Sequence, residues 1–448
     1  MPTLSSNVYT PARNTPPLVT SSANARGVPK RRIPALLRYS FLLFVFTIPI
    51  EALNRSLSLG PVSIARVSGL LVFGLSVVYF KRCYSHLPRP FWCFVGFLSI
   101  FVLLGLFIPD EYKEVFGVQL YTRIQLVAFF LIASNLLRDE SFARKACLTF
   151  AFATVFFGLA IRFELPGFTT TVKPNEKWGV NYERVYVDGI NPDHMGTVFL
   201  VGGIILVGLV LERFRRVYLV APLLLVLSMI VFSGSRASIV GFVAGVACYL
   251  LPFHLSVKKV IAIVVALFVL AGLGYQMSKS PDIMARLELS VKQGDSAGRD
   301  QILKHTLDMI SERPFLGWGP VVYGAELQHR KKQGTLSNYD ADAHNLLLNV
   351  LIEVGVIGGL PFALAIALCC SSAWKSRHTG LGMLPLALIV AVMVNLQFSY
   401  YATGKPLWFV LALGCAASAY ASKQPHERRR RQSVMPPRQV VLPKPALG

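Results

Sequence analysis

Apolar runs of about 17–22 residues alternate with short polar stretches along most of the chain, and about 20 apolar residues is the length that crosses a bilayer as a helix. The pattern predicts about twelve spans, at residues 35–52, 62–80, 90–108, 117–137, 143–163, 194–211, 216–233, 237–253, 259–277, 345–372, 379–398 and 405–421. Gly355, Gly358 and Gly359 predict a kink or a split in the long tenth span. Two longer polar stretches, 164–193 and 278–344, interrupt the series. In the second, Ile302, Leu303, Thr306, Leu307 and Ile310 recur at helical spacing, which predicts a helix from Ala297 to Ile310. Arg313-Pro314 ends it, since a residue before proline avoids the α region. Gly317-Trp-Gly319-Pro320 then reads as a tight turn. The expected fold class is an all-α polytopic membrane protein of about twelve helices with a large outer loop. Its membrane domain covers 34–421, between a disordered tail (1–33) rich in Ser, Pro, Thr and Asn and a basic tail (422–448).

Composition agrees. Charged residues are 15% and apolar residues 54% of the chain, whereas a soluble domain carries roughly 25% charged residues. The net charge of +22 would suit a nucleic-acid binder, but its placement does not. Lysines and arginines sit in the tails and in alternate short loops, among them Lys81/Arg82/Arg89, Arg138/Arg144/Lys145, Arg213/Arg215/Arg216 and Lys375/Arg377. Basic loops stay on the cytoplasmic side. That rule puts both termini inside and both long loops outside, and no nucleic-acid motif is found. The seven cysteines lie mostly in apolar runs without CxxC or Cys/His spacing, which predicts neither disulfides nor zinc.

The polar residues that could carry chemistry gather at the outer face. Arg236, in Ser233-Gly-Ser-Arg, sits in a tight turn between two spans, among hydroxyls. Its fork of donors suits a phosphate, as does the neighbouring helix start. Asn191-Pro-Asp is a turn and helix-start signature for the sixth span, with Arg184 upstream and His194 after it. Arg286 and Arg299 lie in the second loop, Arg299 opening the expected helix. His344 enters the tenth span behind Asp340 and Asp342 and ahead of Asn345. A histidine there could act as a general base toward a hydroxyl or hold a phosphate when protonated. Three residues in so short a stretch are weak grounds for a metal, and none is expected. Arg66, Arg123 and Glu353 are charges within spans, functional by default. The two arginines can equally reach the headgroups, and Glu353 can bond a neighbouring helix.

Four stretches in this order resemble the O-antigen ligase and polymerase superfamily: Arg184…Gly189…Asn191-Pro; Ser233-Gly-Ser-Arg236; Gly298-Arg299…Pro314-Phe-Leu-Gly317-Trp-Gly319; and Asp342-Ala-His344-Asn345…Glu353-Val-Gly355…Gly358. Asp193 departs from the asparagine common at that place. The resemblance implies a membrane glycosyltransferase of the GT-C-like type in a bacterial inner membrane, with a periplasmic active site. Its donor would be O-antigen on undecaprenyl pyrophosphate and its acceptor the lipid A–core oligosaccharide. It implies no cofactor. Arg236 and Arg299 would be catalytic with His344, and Arg184, Arg286, Asp342 and Asn345 would assist in binding diphosphate or acceptor. An O-antigen polymerase and a protein O-oligosaccharyltransferase share the donor chemistry. A polytopic lipid or glycan transporter is the rival from another class.

Overall fold

The computed structural model describes residues 33–51, 64–251 with gaps at 166–167, 169, 176–181, 188–189 and 213–216, scattered positions from 268 to 284, 299–332, and 343–434 apart from 400–401. Helices α1 (Ala35–Thr47), α2 (Ile64–Val78), a one-turn α3 (Phe80–Cys83), α4 (Arg89–Gly105), α5 (Lys113–Leu136) and α6 (Glu140–Arg162) come first. Strands β1 (Thr170–Asn175) and β2 (Tyr182–Val187) precede α7 (Pro192–Glu212), α8 (Val220–Phe232) and α9 (Arg236–Cys248). Then come α10 (Arg299–Glu312), α11 (Val322–Lys332), α12 (Leu346–Lys375), α13 (Leu384–Asn395) and α14 (Lys405–Val434).

Eleven of the expected spans coincide with these helices; the ninth falls mostly outside the described residues. Among the described residues, four helical segments are long and apolar enough to cross a membrane: Asp110–Leu136, Glu140–Arg162, Pro192–Leu211 and Leu346–His378. Seven shorter apolar helices accompany them. The bundle's outward faces carry exposed Val77, Val78, Leu103, Phe107, Leu360 and Leu364. So much uncovered apolar surface suits lipid rather than water. Inside, buried phenylalanines such as Phe94, Phe130, Phe150 and Phe157 fill the helix seams. Gly241 and Gly245 bring α9 against α13; a Cβ at Gly241 would stand 2.6 Å from the Ala391 carbonyl oxygen. Small residues four apart permit that approach, and in lipid, where apolar burial no longer drives association, packing is what holds helices together.

Three features exceed the sequence expectation. The stretch between α6 and α7 holds an antiparallel hairpin, β1–β2, with Lys173 opposite Arg184. Its strands are rich in Thr, Val and Tyr, which favour pleated backbone. Helix α11 has little apolar periodicity, so its strong helix formers (Ala, Glu, Leu, Gln, Arg, Lys) gave no periodic signal. Helix α14 continues to Val434, through the Arg428–Arg431 run, where a tail was expected from 422. Most of the added residues, Lys, Gln, Glu and Arg, are good helix formers, and Pro425 is the one that a helix interior disfavours.

Candidate active site

At one end of the bundle the starts of α7, α9 and α12 meet the end of α13. Asn191 caps α7: its side-chain oxygen accepts from Asp193 N–H at 2.9 Å. Pro192 follows at the first helical position, where its missing N–H is harmless. Between α8 and α9, Gly234 takes a left-handed φ of 63°. The Ser233 hydroxyl donates to the Ile230 carbonyl at 2.7 Å and accepts from Ser235 N–H at 3.3 Å. Arg236 is the first residue of α9 and is half-buried.

A buried chain of side chains locks these starts together. Ser238 donates toward Ser235 Oγ (3.1 Å) and Asn395 Oδ1 (3.2 Å). Asn395 Nδ2 donates to Thr197 Oγ1 at 2.7 Å, and Thr197 donates to the Asp193 carbonyl at 2.8 Å. A Cβ on Gly196 would lie 2.4 Å from Ser238 Oγ, so only glycine lets α7 sit this close to the serine turn. The α12 start docks on the same α13 end. Leu346 N–H donates to the Leu396 carbonyl at 2.8 Å, and Asn345 Nδ2 to the Gln397 carbonyl at 3.2 Å. Asn345 is the N-cap, accepting from Leu348 N–H at 3.0 Å. Before it, half-buried His344 holds a φ of 46°. Few non-glycine residues adopt that region, and such outliers gather at functional sites. The starts of α7, α9 and α12 are thus joined through the end of α13, and each helix start carries a partly positive end.

Below this level α12 is broken. Gly355 has φ 61° and ψ −169° inside the helix. The break frees the carbonyls of Ile352 and Glu353 and the N–H groups of Val356 and Ile357. The turn after α10 replaces both lost bonds. Trp318 N–H donates to the Ile352 carbonyl (2.8 Å) and Gly319 N–H to the Glu353 carbonyl (3.1 Å). In return Val356 N–H donates to the Pro314 carbonyl (2.9 Å) and Ile357 N–H to that of Phe315 (3.1 Å). Irregular backbone survives among membrane helices when protein satisfies it in this way. A Cβ on Gly355 would stand 2.2 Å from the Phe315 oxygen.

Glu353 holds the break from its other side. Arg123 of α5 donates through one nitrogen to both Glu353 oxygens, at 2.7 and 2.8 Å, and through the other to Gln119 at 2.8 Å. Its guanidinium lies 4.0 Å over the Phe101 ring, a contact that favours a desolvated cation. Both charges are buried. Arg123 therefore does not snorkel, and Glu353 bonds a neighbouring helix; Arg66 is exposed in the first turn of α2.

Helices α10 and α11 rest on α12 through Ile302, Met309, Tyr323 and Leu327 around Ile352. Trp318 is central: its Nε1 donates to the Met309 carbonyl at 2.8 Å, and Arg313 stacks 4.2 Å above its ring. Arg330 joins α11 to α10 through Glu312 (2.8 and 3.1 Å) and bonds Glu326 at 2.8 Å. Arg330 holds the Glu312 carboxyl below the usual carboxylate range. A depressed folded-state pKa means the link is present above about pH 4.3 and fades as pH falls through the lower folded value. Amide exchange over 322–332, corrected for its intrinsic pH dependence, is expected to quicken in that acid window. Glu312→Gln should remove the acid step; an unchanged step would assign it to another group.

Arg184 lies on β2 and Arg299 opens α10, but their side chains are not described. Arg286 and Asp342 fall outside the described residues. Arg236, His344 and Asn345 thus come to one end of the bundle. Arg299 belongs to a helix fastened to α12 by the Trp318 turn. The sequence reading passed over Asn395 and Thr197, which tie the helix starts together. The available signal was a lone asparagine in an otherwise apolar run, Leu384 to Leu396, since polar groups in spans rarely lack a partner.

Fold and site together define a helical membrane protein with a polar side-chain cluster at one end of its bundle. Residues 221–363 match the family described as O-Antigen ligase. The matched stretch runs from α8 into α12 and holds the serine turn, α10, His344 and the Gly355 break. A 153-residue stretch is 31% identical to an O-antigen ligase of Pseudomonas aeruginosa, covering 34% of this chain and 33% of that protein. The chain therefore spans about a third of that relative's length.

Proposed function

We propose that this chain is an O-antigen ligase. It transfers O-antigen from undecaprenyl pyrophosphate to a hydroxyl of the lipid A–core oligosaccharide, at the periplasmic face of the inner membrane. The observation that carries the reading is the coincidence of the family match with the place where the helix starts, the serine turn and His344 converge. The topology has twelve spans with both termini cytoplasmic. The acceptor oxygen attacks the anomeric carbon with inversion as the bond to the diphosphate breaks. Arg236 and Arg299, with Arg184 and Arg286 assisting, take up the negative charge that grows on the leaving diphosphate. Preplaced cations in a partly dry site are worth most at that moment. His344 takes the hydroxyl proton or orients the acceptor, and Asp342 and Asn345 set its surroundings. The carrier already supplies the activation, so no nucleotide or metal enters the scheme.

The test is reconstitution of the purified protein with carrier-linked glycan and rough lipopolysaccharide, in EDTA and without nucleotide. A higher-mass lipopolysaccharide ladder is expected, and Arg236→Ala should abolish it. Longer carrier-linked chains without a ladder would make the enzyme a polymerase. Neither product from folded protein would remove the transferase reading and favour transport.

A further inference from the structure

A crevice of about 400 Å³ opens at the opposite end of the bundle, where α4 begins and α5 and α12 end, with α14 alongside. Arg89, Arg138 and Lys375 line it, with Ser371, Ser372 and Ser418 between them. Among its described lining residues there is no Asp or Glu. The acidic residues that follow Arg138 in the chain have partners on their own helix. Asp139 caps α6 by accepting from Ser141 and Phe142 N–H, and Glu140 pairs with Arg144 at 3.1 Å.

The wall is built rather than loose. His86, also in the lining, is clamped by buried Asn135, which accepts from His86 N–H at 3.1 Å and donates to its carbonyl at 2.8 Å. Burial and the charge of Arg138 push the His86 imidazolium pKa down, so the ring adds hydrogen-bonding capacity without a fixed charge near neutral pH. Two exposed tryptophans, Trp92 in the first turn of α4 and Trp374 in the last turn of α12, lie at the same helix ends as Arg89 and Lys375. Tryptophan at such positions marks the headgroup level of a membrane. Leu368 forms part of the floor, and Leu364 and Leu360 continue one exposed apolar row along α12 from it.

Cations and hydroxyls at headgroup depth, with an apolar row leading into the bilayer, match a molecule with an anionic phosphate and acyl chains. We propose that this crevice binds the phosphate headgroup of an anionic phospholipid of the adjoining leaflet, with the chains lying along the Leu364–Leu360 face. A volume of about 400 Å³ admits a phosphoglycerol headgroup. The site lies at the far end of the bundle from His344 and is separate from the transferase centre.

Native mass spectrometry of the full chain in detergent, titrated with phosphatidylglycerol or chain-matched phosphatidylcholine, tests this. One saturable phosphatidylglycerol adduct is expected, at concentrations at least about ten-fold below those needed for phosphatidylcholine, because basic residues at a membrane surface favour anionic lipid. The double variant Arg89→Glu, Lys375→Glu should lose that preference. Ser371→Trp, which fills the crevice without changing charge, should lose the adduct as well. Equal binding of the two lipids, or an adduct unchanged in both variants with native size-exclusion profiles, would overturn the proposal. Displacement of the lipid by millimolar inorganic phosphate would also overturn it, making the crevice a site for the free anion.

Discussion

Glu353→Ala is expected to destabilise the protein by about 3–5 kcal/mol, because it leaves the Arg123 charge buried without its partner. The loss should appear as a lower unfolding midpoint in detergent and as loss of the lipopolysaccharide ladder. Two connections fail together in this variant. The carboxylate releases Arg123, which keeps Gln119 and the Phe101 ring. The Glu353 carbonyl, which accepts from Gly319 N–H, then sits on a segment no longer held from the α5 side. The Trp318 turn and α10 should loosen with it. Since the pair is buried, its net worth is the attraction less a large desolvation cost. A well-packed apolar pair such as Arg123→Met with Glu353→Leu should therefore recover much of the stability. A single variant as stable as the wild type would show that the two charges do not meet in the folded protein. A double variant that regains stability but not ligation would assign the pair a role in placing the outer loop as well as in folding.

That pair marks a limit of what one sequence makes legible. Arg123 and Glu353 were visible separately, as costly charges in apolar runs, but they stand 230 positions apart. Nothing local couples them: each span announces itself by its own hydropathy, while the choice of neighbour is made by packing. The break at Gly355 was legible as a glycine-rich stretch, and the Gly317-Trp-Gly319 turn as a turn. That the turn fills the break follows only when the carbonyls of Ile352 and Glu353 are seen to lose their helical partners. The Asn191 and Asn345 caps are local signals, and both sit where sequence reasoning placed a helix start. Asn395 was missed for the opposite reason: it lies at the end of an apolar helix, and its importance comes from Thr197 and Ser238 on two other helices. The hairpin of 170–187 was read only as loop, because six-residue strands of mixed polarity give a weak periodic signal beside twenty-residue spans.

His344→Asn is expected to reduce ligation by about 10²–10⁴-fold, the usual worth of a positioned general acid or base, with little change in unfolding midpoint. The choice of asparagine follows from the backbone. His344 holds a left-handed φ of 46° immediately before the α12 N-cap. Alanine there would add backbone strain to the loss of the ring, and the two effects could not be separated. Asparagine tolerates that conformation, so it keeps the chain path into Asn345 while removing the imidazole. The proposed function leaves donor binding to the arginines, so the fall should lie in kcat more than in KM for the carrier-linked substrate. If His344→Asn ligates at nearly the wild-type rate while His344→Ala does not, position 344 matters for its backbone alone. The proton acceptor must then be sought elsewhere at this end of the bundle.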